Sequence, residues 1–121
     1  MTLRFDLVTL LVTDIEASRS FYQDTLGLDV VKDAKGYVEL ASGHRRLALY
    51  PRSQLSDLLK VPLSPGSSVL SFFVEDLDRV FQDVVRRGAE VLTPPGVMPW
   101  GRRLAFVMDP DRNVIELCAD P

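Results

Sequence analysis

The sequence predicts an α+β protein built from two copies of one strand–helix–three-strand (βαβββ) unit. In each copy an apolar strand is closed by an aspartate, the following helix contains a phenylalanine, and a glycine ends that helix. The matched positions are Asp14 and Asp76, Phe21 and Phe81, and Gly27 and Gly88. Self-similarity of this kind is the signature of an internal repeat, and the repeat therefore determines the predicted fold class.

The first copy occupies residues 1–60. Residues 5–12 are apolar and rich in β-forming side chains, which predicts a strand, and Asp14 is a suitable N-cap for a helix that runs to about Thr25. Recurrence at helical spacing predicts that five residues form the buried face of this helix. They are Ile15, Ser18, Phe21, Tyr22 and Leu26. Three short strands are predicted at residues 28–32, 37–41 and 47–50, with polar turns at 33–36 and 42–44.

A helical turn at residues 54–59 and a linker at 61–67, which contains two prolines and a glycine, precede the second copy. This copy occupies residues 68–121, with a strand at 68–74 and a helix from Leu77 to about Arg86. The residues expected to be buried in that helix are Val80, Phe81, Val84 and Val85. A strand at 89–92, a long loop and a hairpin complete the copy. Residues 109–113 form the hairpin turn, because Pro presets φ while Asp and Asn bond nearby backbone and tolerate left-handed φ.

The composition is that of an ordinary globular protein: 121 residues, 46% hydrophobic, 26% charged, with a net charge of −3. Its arginines cluster only in pairs, such as Arg45–Arg46 and Arg102–Arg103, which are expected to be solvated rather than to bind nucleic acid. The single cysteine, Cys118, excludes an intrachain disulfide and fits a reducing compartment. There is neither a signal-peptide pattern nor an apolar run of the roughly 20 residues that a membrane helix needs. We therefore expect a cytoplasmic protein without nucleic-acid or membrane partners.

Five short phrases, spread over both copies, are specific when taken together and in order. They are Leu10-Leu11-Val12-Thr13-Asp14, Ser20-Phe21-Tyr22, Leu26-Gly27-Leu28, Asp109-Pro110-Asp111 and Ile115-Glu116-Leu117. With these phrases the whole chain resembles the vicinal oxygen chelate superfamily, which includes glyoxalase I, extradiol dioxygenases, and bleomycin and fosfomycin resistance proteins. The resemblance implies an open, curled mixed sheet of eight strands with a central cleft for a small molecule or a metal.

In the metal-dependent members of this superfamily, each of four inward strands supplies one metal ligand. The resemblance places the matching positions at Leu7, Ala48 (with Tyr50 as the alternative), Val69 and Glu116. Only Glu116 keeps a ligand type, and one carboxylate is too few, because three protein ligands are the usual catalytic minimum. We therefore expect no metal, no other cofactor and no catalytic residue; if a metal is present, Glu116 is its ligand.

The segment Pro99-Trp100-Gly101 looks like the corresponding stretch of bleomycin resistance proteins. In those proteins a loop tryptophan and an aromatic residue near the hairpin after the first helix stack on a planar, cationic ligand. The matching positions here are Trp100 and Tyr37, and each ring could contribute on the order of 1–2 kcal/mol. Those proteins bind without catalysis and form dimers, so the resemblance implies a homodimer with a role of the antibiotic-resistance type.

The positions that the resemblance gives, extended by alternation along the strands, predict a pocket that is mostly apolar with a few polar groups. Its lining residues are Leu7, Thr9, Tyr37, Tyr50, Val69, Ser71, Trp100, Phe106 or Val107, and Glu116. On the first strand, Val8, Leu10 and Val12 are expected to pack under the helix instead. Cys118 is expected to be inert and His44 to face solvent. Two alternatives stay open: Glu116 faces water on an edge strand while Trp100 caps the core, or the predicted pocket residues fill a closed barrel core and the cleft holds nothing.

Three functions stay open at this point. The first is a protein that binds or sequesters a small aromatic or cationic organic molecule in a metal-free cleft. The second is a metal-dependent lyase, isomerase or dioxygenase of the same superfamily, and the third is a protein with a vestigial cleft that acts through its dimer surface. The residues favour the first, because ligand-type side chains are missing at three of the four metal positions.

Overall fold

The computed structural model describes residues 2–34 and 36–120. In chain order, the elements are β1 (Arg4–Val12), α1 (Ile15–Ser20) continued by a π-helical turn (Phe21–Thr25), β2 (Asp29–Ala34), β3 (Tyr37–Ser42), β4 (Arg45–Pro51), α2 (Arg52–Leu59), β5 (Ser68–Val74), α3 (Leu77–Arg86), β6 (Glu90–Val97), β7 (Arg103–Met108) and β8 (Val114–Ala119). The predicted α+β class with two βαβββ repeats is therefore confirmed. The chain divides into two compact units, Leu7–Ser68 and a second unit that runs from Val69 onward and includes the segment before Leu7.

In the first unit the strands follow the order β2-β3-β4-β1, with β1 parallel to β4 and the other pairs antiparallel. One face of these strands packs against α1 and the turn that follows it, around the buried residues Val38, Leu40 and Leu49. Leu10 and Val12 of β1 join this cluster. Successive side chains of a strand point to opposite faces, so the residues that alternate with Leu10 and Val12 lie on the other face, as the sequence predicts.

The predicted buried face of the first helix is wrong at two positions. Asp14 caps the helix as expected, since its Oδ1 accepts a hydrogen bond from the Ala17 amide at 3.1 Å. Ile15 and Tyr22 pack on the core, whereas Phe21 is 49% exposed and Leu26 is 53% exposed. The physical reason is the π-helical turn, in which the Leu26 amide donates to the Phe21 carbonyl five residues earlier. This wider turn breaks the 3.6-residue period on which the prediction depended.

In the second unit the strand order is β5-β8-β7-β6, with β5 parallel to β8 and the other pairs antiparallel. Helix α3 is capped by Asp76, which accepts from the Arg79 amide at 3.2 Å. Leu77 and Val80 of this helix are buried against the sheet, with Phe81 and Val84 partly buried beside them. The predicted bounds of α3 are confirmed, and the sheet face under the helix carries the apolar core of this unit.

The predicted long loop before the hairpin is partly wrong, because β6 extends through Pro94 and Pro95 to Val97. Proline has no amide hydrogen to donate and is tolerated on edge strands and at bulges. Within its unit β6 pairs with β7 alone, and the register between them shifts twice. Pro94 and Pro95 fall in the second of these shifts, and the pairing with β7 resumes at Gly96. The predicted hairpin turn is confirmed: Asp109 Oδ1 accepts from the backbone amides of Asp111 and Asn113, and the left-handed residue is Arg112 (φ 65°).

The described helices are short. Helix α3 has ten residues and α2 has eight. Because a helix needs about 20 apolar residues to span a bilayer, no helix within residues 2–34 and 36–120 meets the requirement.

Candidate functional site

Glu116 lies at the centre of a row that crosses three strands of the second unit. On β8 it stands opposite Ser71 of β5 and opposite Phe106 of β7. Side chains directly opposite each other across a sheet point to the same face, so these three share one face. This face, called the Glu116 face below, is the one turned away from α3. Its residues are Val69, Ser71, Phe73, Leu104, Phe106, Met108, Val114, Glu116 and Cys118. The structure thus brings together four predicted site residues and selects Phe106 over Val107.

The Glu116 carboxyl is half-buried among mostly apolar neighbours. Burial raises its pKa to about 6, and the Asp6 carboxylate acts in the same direction. The hydrogen bond from the Ser71 hydroxyl and the charge of Arg102 lower the pKa, but they do not offset the burial. The group is therefore an anion at neutral pH that lacks full compensation for its lost hydration. It can accept a hydrogen bond or pair with a cation, and it can exchange a proton near pH 6.

Arg102 closes one end of this face. Its Nη2 donates to Cys118 Sγ at 3.0 Å and to the Ala119 carbonyl at 3.2 Å, and its guanidinium carbon lies 5.6 Å from the centroid of the Phe73 ring. Burial raises the pKa of the Cys118 thiol, and the neighbouring Glu116 adds to this shift. Cys118 is thus a protonated thiol at neutral pH, which agrees with the expectation that it is inert. Sequence reasoning had treated Arg102 as part of a solvated arginine pair.

Trp100 lies outside the strands of the Glu116 face. It occupies the turn between β6 and β7, which is closed by a hydrogen bond from the Met98 amide to the Arg102 carbonyl at 2.8 Å. The indole is 50% exposed. Such a ring is accessible for stacking, and its role as a ligand contact stays a prediction.

In the first unit the equivalent row contains Thr9, Ala48 and Glu39. Ala48 of β4 stands opposite Thr9 of β1 and opposite Glu39 of β3. The repeat matches Thr9 to Ser71, Ala48 to Glu116 and Glu39 to Phe106. The carboxylate of the first unit is therefore on its third strand, β3, whereas that of the second unit is on its last strand, β8. The other predicted residues of this unit follow by alternation onto the same face. They are Leu7, Tyr37 and Tyr50.

Glu39 is a buried carboxylate with two identified donors. The Tyr37 hydroxyl donates to its Oε2 at 2.7 Å and Arg46 Nη1 donates to its Oε1 at 2.6 Å. The Tyr37 ring lies 6.3 Å from the Tyr50 ring and 5.7 Å from Lys32 Nζ. Sequence reasoning missed Glu39 and Arg46. The signal that singled out Glu116, a carboxylate inside an apolar strand, was present at Glu39 as well.

A family model described as the Glyoxalase/Bleomycin resistance protein/Dioxygenase superfamily matches residues 4–117. The chain belongs to this superfamily. The predicted family is thereby confirmed, while the bleomycin-resistance branch stays a prediction.

Similarity to known proteins extends over almost the whole chain. An uncharacterized protein of Bacillus subtilis, YraH, is 29% identical over 119 residues, which is 91% of this chain and 93% of that protein. A superfamily member from Vibrio splendidus has a crystal structure that matches with a TM-score of 0.69 at 23% identity, covering 99% of this chain and 100% of that one. The methylmalonyl-CoA epimerase of Streptomyces coelicolor matches with a TM-score of 0.67 at 24% identity, covering 98% and 99%. At these identities the two structures show the fold.

The superfamily also implies a metal in many of its members, and the residues here do not fit one. Leu7, Ala48 and Val69 are buried and have hydrocarbon side chains without a donor atom, which leaves Glu116 alone. Within the described part of the chain, no group of three or more His, Cys, Asp or Glu side chains could hold a metal ion. His44 is exposed in the turn between β3 and β4, as expected.

Proposed function

We propose that this member of the glyoxalase/bleomycin resistance protein/dioxygenase superfamily binds or sequesters a small organic molecule, aromatic in part or cationic, without a metal. The observation that carries the proposal is the half-buried carboxylate of Glu116, whose pKa burial raises to about 6. A carboxylate in apolar surroundings is costly unless it is paired. A ligand that brings a cation or a hydrogen-bond donor to Glu116 would supply the missing compensation.

The surroundings of Glu116 favour a ligand with an apolar or aromatic part. Val69 and Phe106 form a buried apolar floor on either side, while the half-buried Phe73 offers part of its ring. Ligand pockets typically combine such apolar walls with a few polar groups that fix orientation. Ser71 and Glu116 are those polar groups here. The exposed indole of Trp100 is the predicted stacking partner.

Binding of benzamidine, a small aromatic cation, tests this proposal by calorimetric titration. We expect about tenfold weaker binding at pH 5 than at pH 8, because a carboxyl with a pKa of about 6 is mostly protonated at pH 5. The Glu116→Gln variant should lose most of the affinity and all of this pH dependence. Glu75→Gln, which changes an exposed carboxylate, is the matched control and should behave as the unchanged protein does. Equal affinity of the Glu116→Gln variant would contradict the proposal.

The metal-free character is tested separately, by elemental analysis of protein purified and dialysed without chelator. We expect zinc, nickel, manganese and iron far below one equivalent, because three of the four ligand positions have no donor atom. A stoichiometric transition metal would overturn this part of the proposal and favour the rival lyase, isomerase or dioxygenase. The homodimer, the role in antibiotic resistance and the cytoplasmic location stay predictions from the sequence.

A further inference from the structure

The first unit carries a second set of residues that can recognise a ligand, and it has no member in common with the Glu116 face. We call it the Tyr37 site, and its residues are Lys32, Tyr37, Glu39, Arg46 and Tyr50. We propose that the Tyr37 site binds an aromatic molecule that carries an anionic group, such as an aromatic carboxylate. This inference goes beyond the proposed function, which concerns Glu116 and a ligand that brings it a cation or a donor.

The charges of the Tyr37 site favour an anion. Lys32 and Arg46 are cations, and Glu39 is the anion of the set, so the positive charges prevail. Both oxygens of Glu39 accept internal hydrogen bonds, from the Tyr37 hydroxyl at 2.7 Å and from Arg46 Nη1 at 2.6 Å. Glu39 is also only 8% exposed, whereas Lys32 and Arg46 are exposed. A ligand arriving from solvent therefore meets the two cations, while the carboxylate is covered.

The rings of the Tyr37 site favour an aromatic partner. The Tyr37 and Tyr50 rings lie 6.3 Å apart with an interplanar angle of 57°, and both residues are half-buried. A third ring placed against them would extend an aromatic cluster at favourable separations. The ammonium of Lys32, 5.7 Å from the Tyr37 centroid, already takes the cation–π position on that ring. A cationic ligand would compete with Lys32, whereas an anionic one would pair with it.

Glu39 acts in this site as a positioning residue. Its buried carboxylate holds Arg46 from one side and the Tyr37 hydroxyl from the other, and it stands in register with Lys32 on β2. Strands β2, β3 and β4 thus present the cations and the rings on one face. The arrangement is fixed before a ligand arrives, which lowers the entropy cost of binding.

Four probes separate the contributions of ring and charge: benzoate has both, benzyl alcohol has the ring alone, acetate has the anion alone, and benzamidine has the ring with the opposite charge. We expect calorimetric titration to show benzoate binding more tightly than benzyl alcohol or acetate. Lys32→Gln and Arg46→Gln should each weaken benzoate about fivefold or more, because each removes one charge partner. Benzamidine affinity should not fall in either variant. Benzoate affinity unchanged in both variants would overturn the proposal.

Arg45→Gln is the matched control, because Arg45 is the neighbour of Arg46 on β4 and points to the opposite face. It removes the same charge and should leave benzoate affinity unchanged; an equal loss would mean that net charge, not the site, attracts the anion. Arg46→Lys keeps the cation and should retain most of the affinity, which guards against a folding defect in Arg46→Gln. The deciding probe here is benzoate and the variants are those of Lys32 and Arg46, whereas benzamidine and Glu116→Gln decide the other proposal, so the two proposals fail by different results.

Discussion

Replacing Phe106 by alanine is expected to lower the free energy of unfolding by about 3–5 kcal/mol. Phe106 is 1% exposed and is the largest fully buried side chain among the described residues. It lies on β7 between Thr93 of β6 and Glu116 of β8, so its removal leaves a cavity in the middle of the second unit. The surrounding strands are held by their backbone pairing and can only partly collapse into that space. Urea unfolding at constant pH measures the change.

Two further variants show whether the stability lost in Phe106→Ala comes from a buried ring or from a surface ring. Phe106→Leu keeps most of the apolar volume and should cost much less than the alanine variant. Val97→Ala on the neighbouring β6 removes apolar atoms from a side chain that is 70% exposed, and it should change stability by less than about 0.5 kcal/mol. If Phe106→Ala proved as mild as Val97→Ala, the ring would be a surface contact available to ligands. The expected large loss instead makes Phe106 the floor of the Glu116 face.

Local signals predicted most of the elements. Asp14 and Asp76 cap the helices that the sequence assigned to them, and Gly27 and Gly88 follow those helices with positive φ. These signals act within a few residues, and therefore one sequence suffices to recognise them. The failures have a different origin. The chemistry of Pro94 predicted a loop, yet this residue lies within β6, because the residues on either side of the two prolines pair with β7. In this case the tertiary context outweighed the local preference.

The site was predictable to the extent that strand alternation fixes it. Glu116, Ser71 and Val69 share a face because each strand has a period of two, which the sequence shows directly. Arg102 was missed because its contact with Cys118 joins residues 16 apart in the chain, and a single sequence does not give that register. Arg46 was missed for the same reason, since it meets Glu39 across a hairpin. The sequence therefore did not predict which side chains meet across neighbouring strands.

Replacing Glu116 by glutamine is expected to raise stability at neutral pH by up to about 2 kcal/mol. Burial raises the pKa of this carboxyl from 4.5 to about 6 on folding. Between these values the folded protein binds more protons than the unfolded chain, so stability is greatest below the lower pKa and falls as the pH rises through the upper one. Well above pH 6 the buried carboxyl is ionised, and the cost of burying its charge lowers the free energy of unfolding in full. Glutamine has a similar shape, stays neutral and can still accept the hydrogen bond from Ser71.

Urea unfolding of both proteins at several pH values between about 4 and 8 measures this difference. The stability gap should be close to zero at the acidic end, open between pH 4.5 and 6, and stay constant above that range. Glu75→Gln is the control, because it removes an exposed carboxylate from the turn before α3 and should open no such gap. Parallel curves for the Glu116→Gln variant and the unchanged protein would contradict the raised pKa. A stabilised variant that also loses benzamidine would mean that the same carboxylate destabilises the fold and binds the ligand, a trade-off expected of a functional residue.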